Sequence, residues 1–65
     1  MKVVNINTAS QKELMTLPGI GASRAQSIID YRVQSGGFET REDIMKVAGI
    51  KEAMYEDLKD YITVD

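Results

Sequence analysis

The fold is decided by the stretch Leu17-Pro18-Gly19-Ile20-Gly21, which separates two segments that both have helical patterns. Pro18 disfavours helical geometry in the residue before it and has no amide to donate, so the first helix must end at Leu17. Gly19 can adopt the positive φ that a tight turn requires. The stretch therefore predicts a short hairpin between two helices.

The segments on either side of this hairpin carry helix signals. Thr8 stands in an N-cap position with Gln11 three residues later, the spacing of a capping box, which predicts a first helix over about residues 9–16. Apolar residues at helical spacing predict a second helix over about residues 22–34. The buried positions expected on these two helices are Leu14, Ala22, Ala25, Ile28 and Ile29.

The second half of the chain has a similar order of signals. Gly36-Gly37 ends the second helix, and Phe38, the only phenylalanine, is expected to fill the core at this corner. Thr40 caps a third helix with Asp43 at its third position, and a fourth helix is predicted over about residues 51–61. We expect inward side chains at Ile44, Val47, Met54, Leu58 and either Tyr61 or Ile62.

An internal repeat appears when the sequence is compared with itself at a shift of thirty residues. The matched pairs are Leu14 with Ile44, Leu17 with Val47, Gly19 with Gly49, Ile20 with Ile50, and Ile28 with Leu58. Each half therefore reads as helix, hairpin, helix, over about residues 8–36 and 38–62. One such unit is too short to bury its apolar face, so the two should pack about a pseudo-two-fold axis. The sequence predicts one all-α domain over residues 1–65, with four to five short helices, extended ends and almost no sheet.

Composition excludes several classes of protein. The chain has 65 residues, no cysteine and no histidine, which rules out disulfides, zinc clusters of Cys and His, and an imidazole base. A domain of this size offers little room for a pocket, so we predict that it is not an enzyme and has no small-molecule substrate. No signal peptide is visible, and no apolar run approaches the roughly 20 residues that span a bilayer.

The charge is unevenly distributed, although its total is only −2. Residues 1–36 hold four basic and two acidic residues, a net charge of +2, whereas residues 37–65 hold four basic and eight acidic residues, a net charge of −4. Charges further apart than about 8–10 Å are largely screened at ordinary salt. The positive half, which contains the first hairpin, is therefore the better candidate for an anionic partner.

The first hairpin has the chemistry of a phosphate site. The first amides of the second helix have no partner inside the helix, and the helix dipole places partial positive charge there. Gly21 has no Cβ to keep a phosphate oxygen away from the backbone of Gly19, Ile20 and Gly21. Ser23 can donate from its hydroxyl, and Arg24 can supply charge to the same or a neighbouring phosphate. Such contacts read no bases, so binding should be independent of sequence.

The second hairpin departs from this pattern. Ala48 stands where the first has Pro18, and Lys51 stands where the first has Gly21. Lys51 could replace a backbone contact with a charge, or its Cβ could hold a phosphate away. We expect a weaker contact near Gly49, made by Lys51 and Lys46, because Glu52 adds negative charge directly after Lys51.

Taken together, these motifs resemble the paired helix-hairpin-helix domain of ComEA-type bacterial competence proteins, the receptors that hold double-stranded DNA at the cell surface during transformation. The resemblance covers about residues 4–62 and is carried by Asn5-Ile6-Asn7-Thr8-Ala9, Glu13-Leu14, Leu17-Pro18-Gly19-Ile20-Gly21, Ala25, Ile28-Ile29, Tyr31-Arg32, Gly37-Phe38, Asp43-Ile44, Val47 and Gly49-Ile50. It implies double-stranded DNA as the partner, other proteins of a DNA-uptake machinery nearby, and an extracytoplasmic location with a membrane anchor in the full-length protein. Neither a signal nor an anchor is visible here, so a cytoplasmic location stays open.

Two alternatives accompany the DNA-binding interpretation. The same scaffold could serve as a protein-interaction or structural module without DNA, with its acidic half meeting a basic partner. No cofactor is predicted, except that a hairpin could hold a monovalent cation with its carbonyl groups, as in some helix-hairpin-helix proteins.

We expect the domain to be a monomer, and we expect Tyr31 and Arg32 to pack in the fold and not to contact a ligand.

Overall fold

The computed structural model describes residues 3–65, and most of them lie in short helices. Along the chain the elements are β1 (Val4–Asn5), α1 (Gln11–Leu14), α2 (Ala22–Ser35), a first 3-10 helix (Arg41–Lys46), α3 (Glu52–Leu58), a second 3-10 helix (Lys59–Tyr61) and β2 (Ile62–Thr63). The predicted all-α fold of short helices is confirmed. Among the described residues no helix has the length and apolar character needed to cross a membrane.

Helix α1 starts later than predicted because the cap is Ser10 and not Thr8. The Ser10 hydroxyl accepts from the Glu13 amide at 3.2 Å, and the Glu13 carboxylate accepts from the Ser10 amide at 3.1 Å, which forms a reciprocal capping box. Thr8 instead belongs to the preceding turn, where the Asn5 carbonyl accepts from the amides of Thr8 and Ala9. The predicted Thr8–Gln11 cap is therefore wrong, since the chain is still turning at Thr8.

Helix α2 is the longest element, and its end matches the prediction. Gly36 takes the left-handed conformation with φ 84°, and its amide donates to the Arg32 carbonyl, so the helix stops there. Phe38 is buried and stacks on Tyr31 with ring centroids 5.3 Å apart. Ala25 and Ile28 are buried, whereas Ala22, predicted to be on the same face, is exposed. Ala22 lies in the first turn, beside the hairpin and beyond the edge of the core.

The third and fourth helices differ from their predictions in form. Thr40 and Asp43 make the predicted capping box, but the helix that follows is a 3-10 helix. The fourth is α3, which tightens into the second 3-10 helix after Leu58. In α3 Tyr55 is buried, and Met54, which was predicted to point inward, is half-buried and packs against the core. Tyr55 and Leu58 follow the spacing of Ala25 and Ile28, thirty residues earlier, and face the same core.

The two ends of the chain are extended and pair with each other. β1 and β2 run parallel, with Val4 opposite Ile62 and Asn5 opposite Thr63. Either Tyr61 or Ile62 was predicted to point inward. Ile62 is buried and Tyr61 is half-buried, so Ile62 is the inward residue. The extended conformation of both ends was predictable from the sequence, but their pairing was not.

The apolar residues that match at a shift of thirty residues all lie in the core. All four apolar pairs of the repeat are buried, with no member more than 4% exposed: Leu14, Ile44, Leu17, Val47, Ile20, Ile50, Ile28 and Leu58. They belong to one cluster together with Val4, Ile6, Ala9, Ala25, Phe38, Tyr55 and Ile62. The two units therefore share one core, and it is this core that sets the hairpins in fixed positions. The limits of the two units, about residues 8–36 and 38–62, stay predictions.

Candidate nucleic-acid interface

The two hairpins, residues 17–21 and residues 47–51, have the same backbone shape. In the first hairpin the Ile20 amide donates to the Leu17 carbonyl at 3.2 Å, and in the second the Ile50 amide donates to the Val47 carbonyl at 3.1 Å. The third residue of each turn has a positive φ, 75° at Gly19 and 88° at Gly49. This is the arrangement of a type II turn, which requires glycine at that position.

Each turn leads directly into a helix whose first amides have no acceptor. Gly21 is the N-cap of α2 and Lys51 the N-cap of α3, both with extended backbone and neither with a side-chain cap. The first helical bonds are donated by Ala25 and Tyr55, to the carbonyls of Gly21 and Lys51 at 2.9 Å. Within residues 3–65, the amides of residues 21–24 and 51–54 therefore donate to nothing.

Gly21 differs from the turn glycines because the fold does not require it to be glycine. Its φ is −93°, which any residue can adopt, and a Cβ there would meet no atom within 4 Å. Lys51 has nearly the same backbone angles in the second hairpin. The missing side chain of Gly21 leaves the start of α2 open to solvent.

The residues predicted at the first hairpin are exposed, with one exception. Gly19, Gly21, Ser23 and Arg24 are exposed. Ile20 is buried, and its amide is occupied by the Leu17 carbonyl, so it is not available to a ligand through that group. Ile20 contributes by anchoring the turn in the core.

Each hairpin is in contact with a helix of the other unit. Arg24, on α2, donates from Nε to the Gly49 carbonyl of the second hairpin at 3.2 Å. In the matching place, the Met54 Cε lies 3.5 Å from where a Cβ on Gly19 would be. Neither contact could be predicted from the sequence, because a thirty-residue shift aligns Arg24 with Met54 but does not tell which way these side chains point.

The lysines predicted at the second hairpin differ in their surroundings. Lys46 forms an ion pair with Asp43 at 3.3 Å, and this contact raises the pKa of Lys46. Hydrogen bonds from the Thr40 and Glu39 amides, with the Lys46 contact, lower the pKa of Asp43 from its usual 3.8. Lys51 is exposed and makes no ion pair within residues 3–65. Lys51 is thus the freer of the two charges.

Arg32 has a structural role in this arrangement. Its Nη1 donates to the carbonyls of Ile6 and Ala9, at 3.0 and 2.9 Å, and so ties the end of α2 to the segment before α1. Tyr31 stacks on Phe38. Both residues pack in the fold, as predicted.

The geometry defines a class of domain in which two helix-hairpin-helix units, related by a pseudo-two-fold axis, place both hairpins side by side. A family model described as the helix-hairpin-helix motif matches residues 1–63. The chain belongs to this family.

Similar proteins come from bacteria and animals. ComE operon protein 1 of Bacillus subtilis (strain 168) is 52% identical over 62 residues, which cover 95% of this chain and 30% of that protein. The endonuclease/exonuclease/phosphatase family domain-containing protein 1 of Xenopus laevis is 48% identical over 61 residues, covering 94% of this chain and 11% of that protein. An uncharacterized protein of Haemophilus influenzae is 42% identical over 60 residues, covering 91% and 54%. The resemblance to ComEA-type domains is confirmed, and the chain spans well under two thirds of each of these relatives.

Proposed function

We propose that this chain binds double-stranded DNA through the phosphate backbone, independently of base sequence, with the first hairpin as the main contact. The observation that carries the proposal is the run of amides at residues 21–24, which has no acceptor within the described chain and is left open by Gly21. Membership of the helix-hairpin-helix family supports nucleic acid as the anion.

The physical basis is the start of α2. This helix has 14 residues, so its aligned peptide dipoles place partial positive charge at the first hairpin. Free amides and this charge together favour a phosphate group. The exposed Ser23 hydroxyl adds a donor close by. Since every one of these donors would meet a phosphate and none would meet a base edge, the contact would fix the position of the DNA without reading it.

The second hairpin is proposed to contribute a weaker contact. Its turn has the same shape, but α3 has only seven residues and Lys51 introduces a side chain where the first hairpin has none. Glu52 follows directly and repels an anion. Lys51 would act through its charge, while Lys46 would have to share its charge with Asp43.

Similarity to ComE operon protein 1 supports a proposal for the biological setting. We propose a role in DNA uptake during competence, at an extracytoplasmic site with other proteins of the uptake machinery, and as a monomeric domain. We propose no catalytic activity from the name of the Xenopus laevis relative, because the match covers only 11% of that protein. A monovalent cation at a hairpin would accompany DNA binding and would not replace it.

Substitutions at Gly21 test the first hairpin. An alanine adds a Cβ but leaves the amides free, an asparagine occupies the amides by capping the helix, and an aspartate also adds a negative charge. We expect the affinity for a labelled duplex, measured by fluorescence anisotropy, to fall in the order parent, Gly21→Ala, Gly21→Asn, Gly21→Asp, with binding abolished in the last.

Stability provides the matched control for this series. Asn and Asp are better N-cap residues than Gly by a few tenths of a kcal/mol, so both variants should stay helical and unfold at or slightly above the parent's temperature. Loss of binding with an intact fold isolates the anion site. If Gly21→Asp bound the duplex as tightly as the parent, the first hairpin would not be the contact.

A further inference from the structure

The side chain of Arg24 joins the two hairpins. It stands three residues after Gly21, yet its Nε donates to the Gly49 carbonyl at 3.2 Å. A Cβ on Gly49 would lie 3.5 Å from the same nitrogen, which places the guanidinium against the second hairpin. The sequence alone associates Arg24 with the first hairpin, because the two are neighbours in the chain.

The charge of Arg24 is available to a ligand. A guanidinium has five N–H donors, and within residues 3–65 only Nε is used. Neither ion pair of the described residues involves Arg24, and the residue is exposed. The hydrogen bond to Gly49 restrains this long side chain, so less side-chain freedom would be lost when a ligand binds.

The matching place on the first hairpin is neutral. Met54 stands thirty residues after Arg24 and lies against Gly19, with its Cε 3.5 Å from the position of a Cβ there. The side chain next to the first hairpin is therefore the neutral thioether of Met54. The side chain next to the second hairpin is the cation Arg24, and Lys51 is a second cation on that hairpin.

We infer that Arg24, although α2 carries it, contacts the DNA backbone at the second hairpin, where Arg24 and Lys51 act on one phosphate. The inference rests on the proposed function. It assigns the two hairpins different chemistry: free amides at the first, and two side-chain cations at the second, where Lys51 stands in place of glycine.

Double-mutant cycles distinguish this assignment from a contact at the first hairpin. Arg24→Met replaces the arginine at the second hairpin by a neutral methionine, the residue type that Met54 places at the first hairpin. Lys51→Ala removes the other cation, and Gly21→Val blocks the first hairpin without adding charge. Duplex affinity is measured by fluorescence anisotropy over a series of salt concentrations for each single variant and for the two double variants that contain Arg24→Met.

We expect Arg24→Met to weaken binding about two- to fivefold, as for loss of an exposed ion pair. It should also lower the log–log salt slope by less than about 0.9, the value for one phosphate, because Lys51 still faces the same phosphate. When Arg24→Met is introduced into the Lys51→Ala variant, it should weaken duplex binding by a clearly smaller factor. When it is introduced into the Gly21→Val variant, it should weaken duplex binding by the same factor as in the parent. The Arg24→Met, Lys51→Ala double variant should lose about one phosphate from the slope and not two.

The control is Arg41→Met, which removes an exposed arginine that donates to the Lys59 carbonyl at the far end of α3. Its affinity should stay within about twofold of the parent, as expected for a charge distant from the contact. In NMR titrations, Arg24→Met should reduce the DNA-induced shift of the Gly49 amide and spare that of Ala22, whatever its effect on stability.

The opposite coupling would overturn the inference. In that case Arg24→Met would not change duplex affinity in the Gly21→Val variant and would weaken it by its full factor in the Lys51→Ala variant. An unchanged affinity in Arg24→Met alone would also overturn the inference. Both results leave the proposed function standing. If the parent itself bound no duplex, the proposed function and this inference would fall together, so the two failures are distinguishable.

Discussion

At the scale of single residues, the hairpin glycines fall into two kinds. Gly19 and Gly49 have positive φ, so the turns need glycine for conformational reasons. Gly21 has an ordinary φ and open space around it. The proposed phosphate contact gives a reason for glycine at this position, because a phosphate must approach the backbone closely.

Alanine substitutions should separate these two kinds. Gly19→Ala and Gly49→Ala force a side chain into left-handed backbone and should each cost about 1–2 kcal/mol of unfolding free energy. Gly21→Ala should change it by less than about 0.5 kcal/mol, because a poorer N-cap is offset by a stiffer unfolded chain. Thermal unfolding of the three variants measures this. Equal losses at Gly21 and Gly19 would mean that Gly21 also serves the fold.

The residues of the first hairpin could be predicted from the sequence because their roles follow from local rules. Proline and glycine at fixed positions specify a turn, and a helix that begins after it must leave amides unpaired. The contact of Arg24 with Gly49 could not be predicted. It depends on the relative placement of two elements 25 residues apart and on a choice among side-chain rotamers.

At the scale of elements, the capping boxes repeat with the same thirty-residue period as the core. Ser10 matches Thr40 as N-cap, and Glu13 matches Asp43 as the reciprocal partner. The error at Thr8 could have been avoided by applying the repeat to polar positions as well as apolar ones. The 3-10 form of the third helix could not, because its capping signals are the same as those of an α-helix.

Removing the caps should therefore reveal which residues start the helices. Ser10→Ala and Thr40→Ala should each lower the unfolding free energy by about 1 kcal/mol, the usual loss for an N-cap. Thr8→Ala is the matched control. Its side chain is exposed and lies outside the helix, so the change should stay below about 0.5 kcal/mol. Urea unfolding followed by circular dichroism would show the difference, and a larger loss at Thr8 than at Ser10 would contradict the assignment.

At the scale of the whole molecule, two units share one core, and this sharing sets both hairpins on one side. Ile20 and Ile50 connect each turn directly to the common core. The sequence predicted this arrangement because the apolar pairs of the repeat mark the buried face of each unit. The pairing of the chain ends was not predictable, since two-residue strands carry no pattern of their own.

The uneven charge also belongs to the whole molecule. The half that contains the first hairpin has a net charge of +2, and the other half −4. DNA bound at the hairpins would be attracted by the charge of the first half of the chain and repelled by that of the second half. We therefore expect modest affinity, on the order of 1 to 100 μM at physiological salt, for this domain alone.

DNA binding by this chain is tested by fluorescence anisotropy of a labelled duplex titrated with the protein at several salt concentrations. We expect binding of equal strength to duplexes of unrelated sequence. The log–log salt slope should correspond to roughly 2 to 5 neutralised phosphates. Absence of binding even at low salt would contradict DNA binding and favour a protein-interaction module on the same scaffold. Binding that depended on base sequence would contradict contact through the phosphate backbone alone.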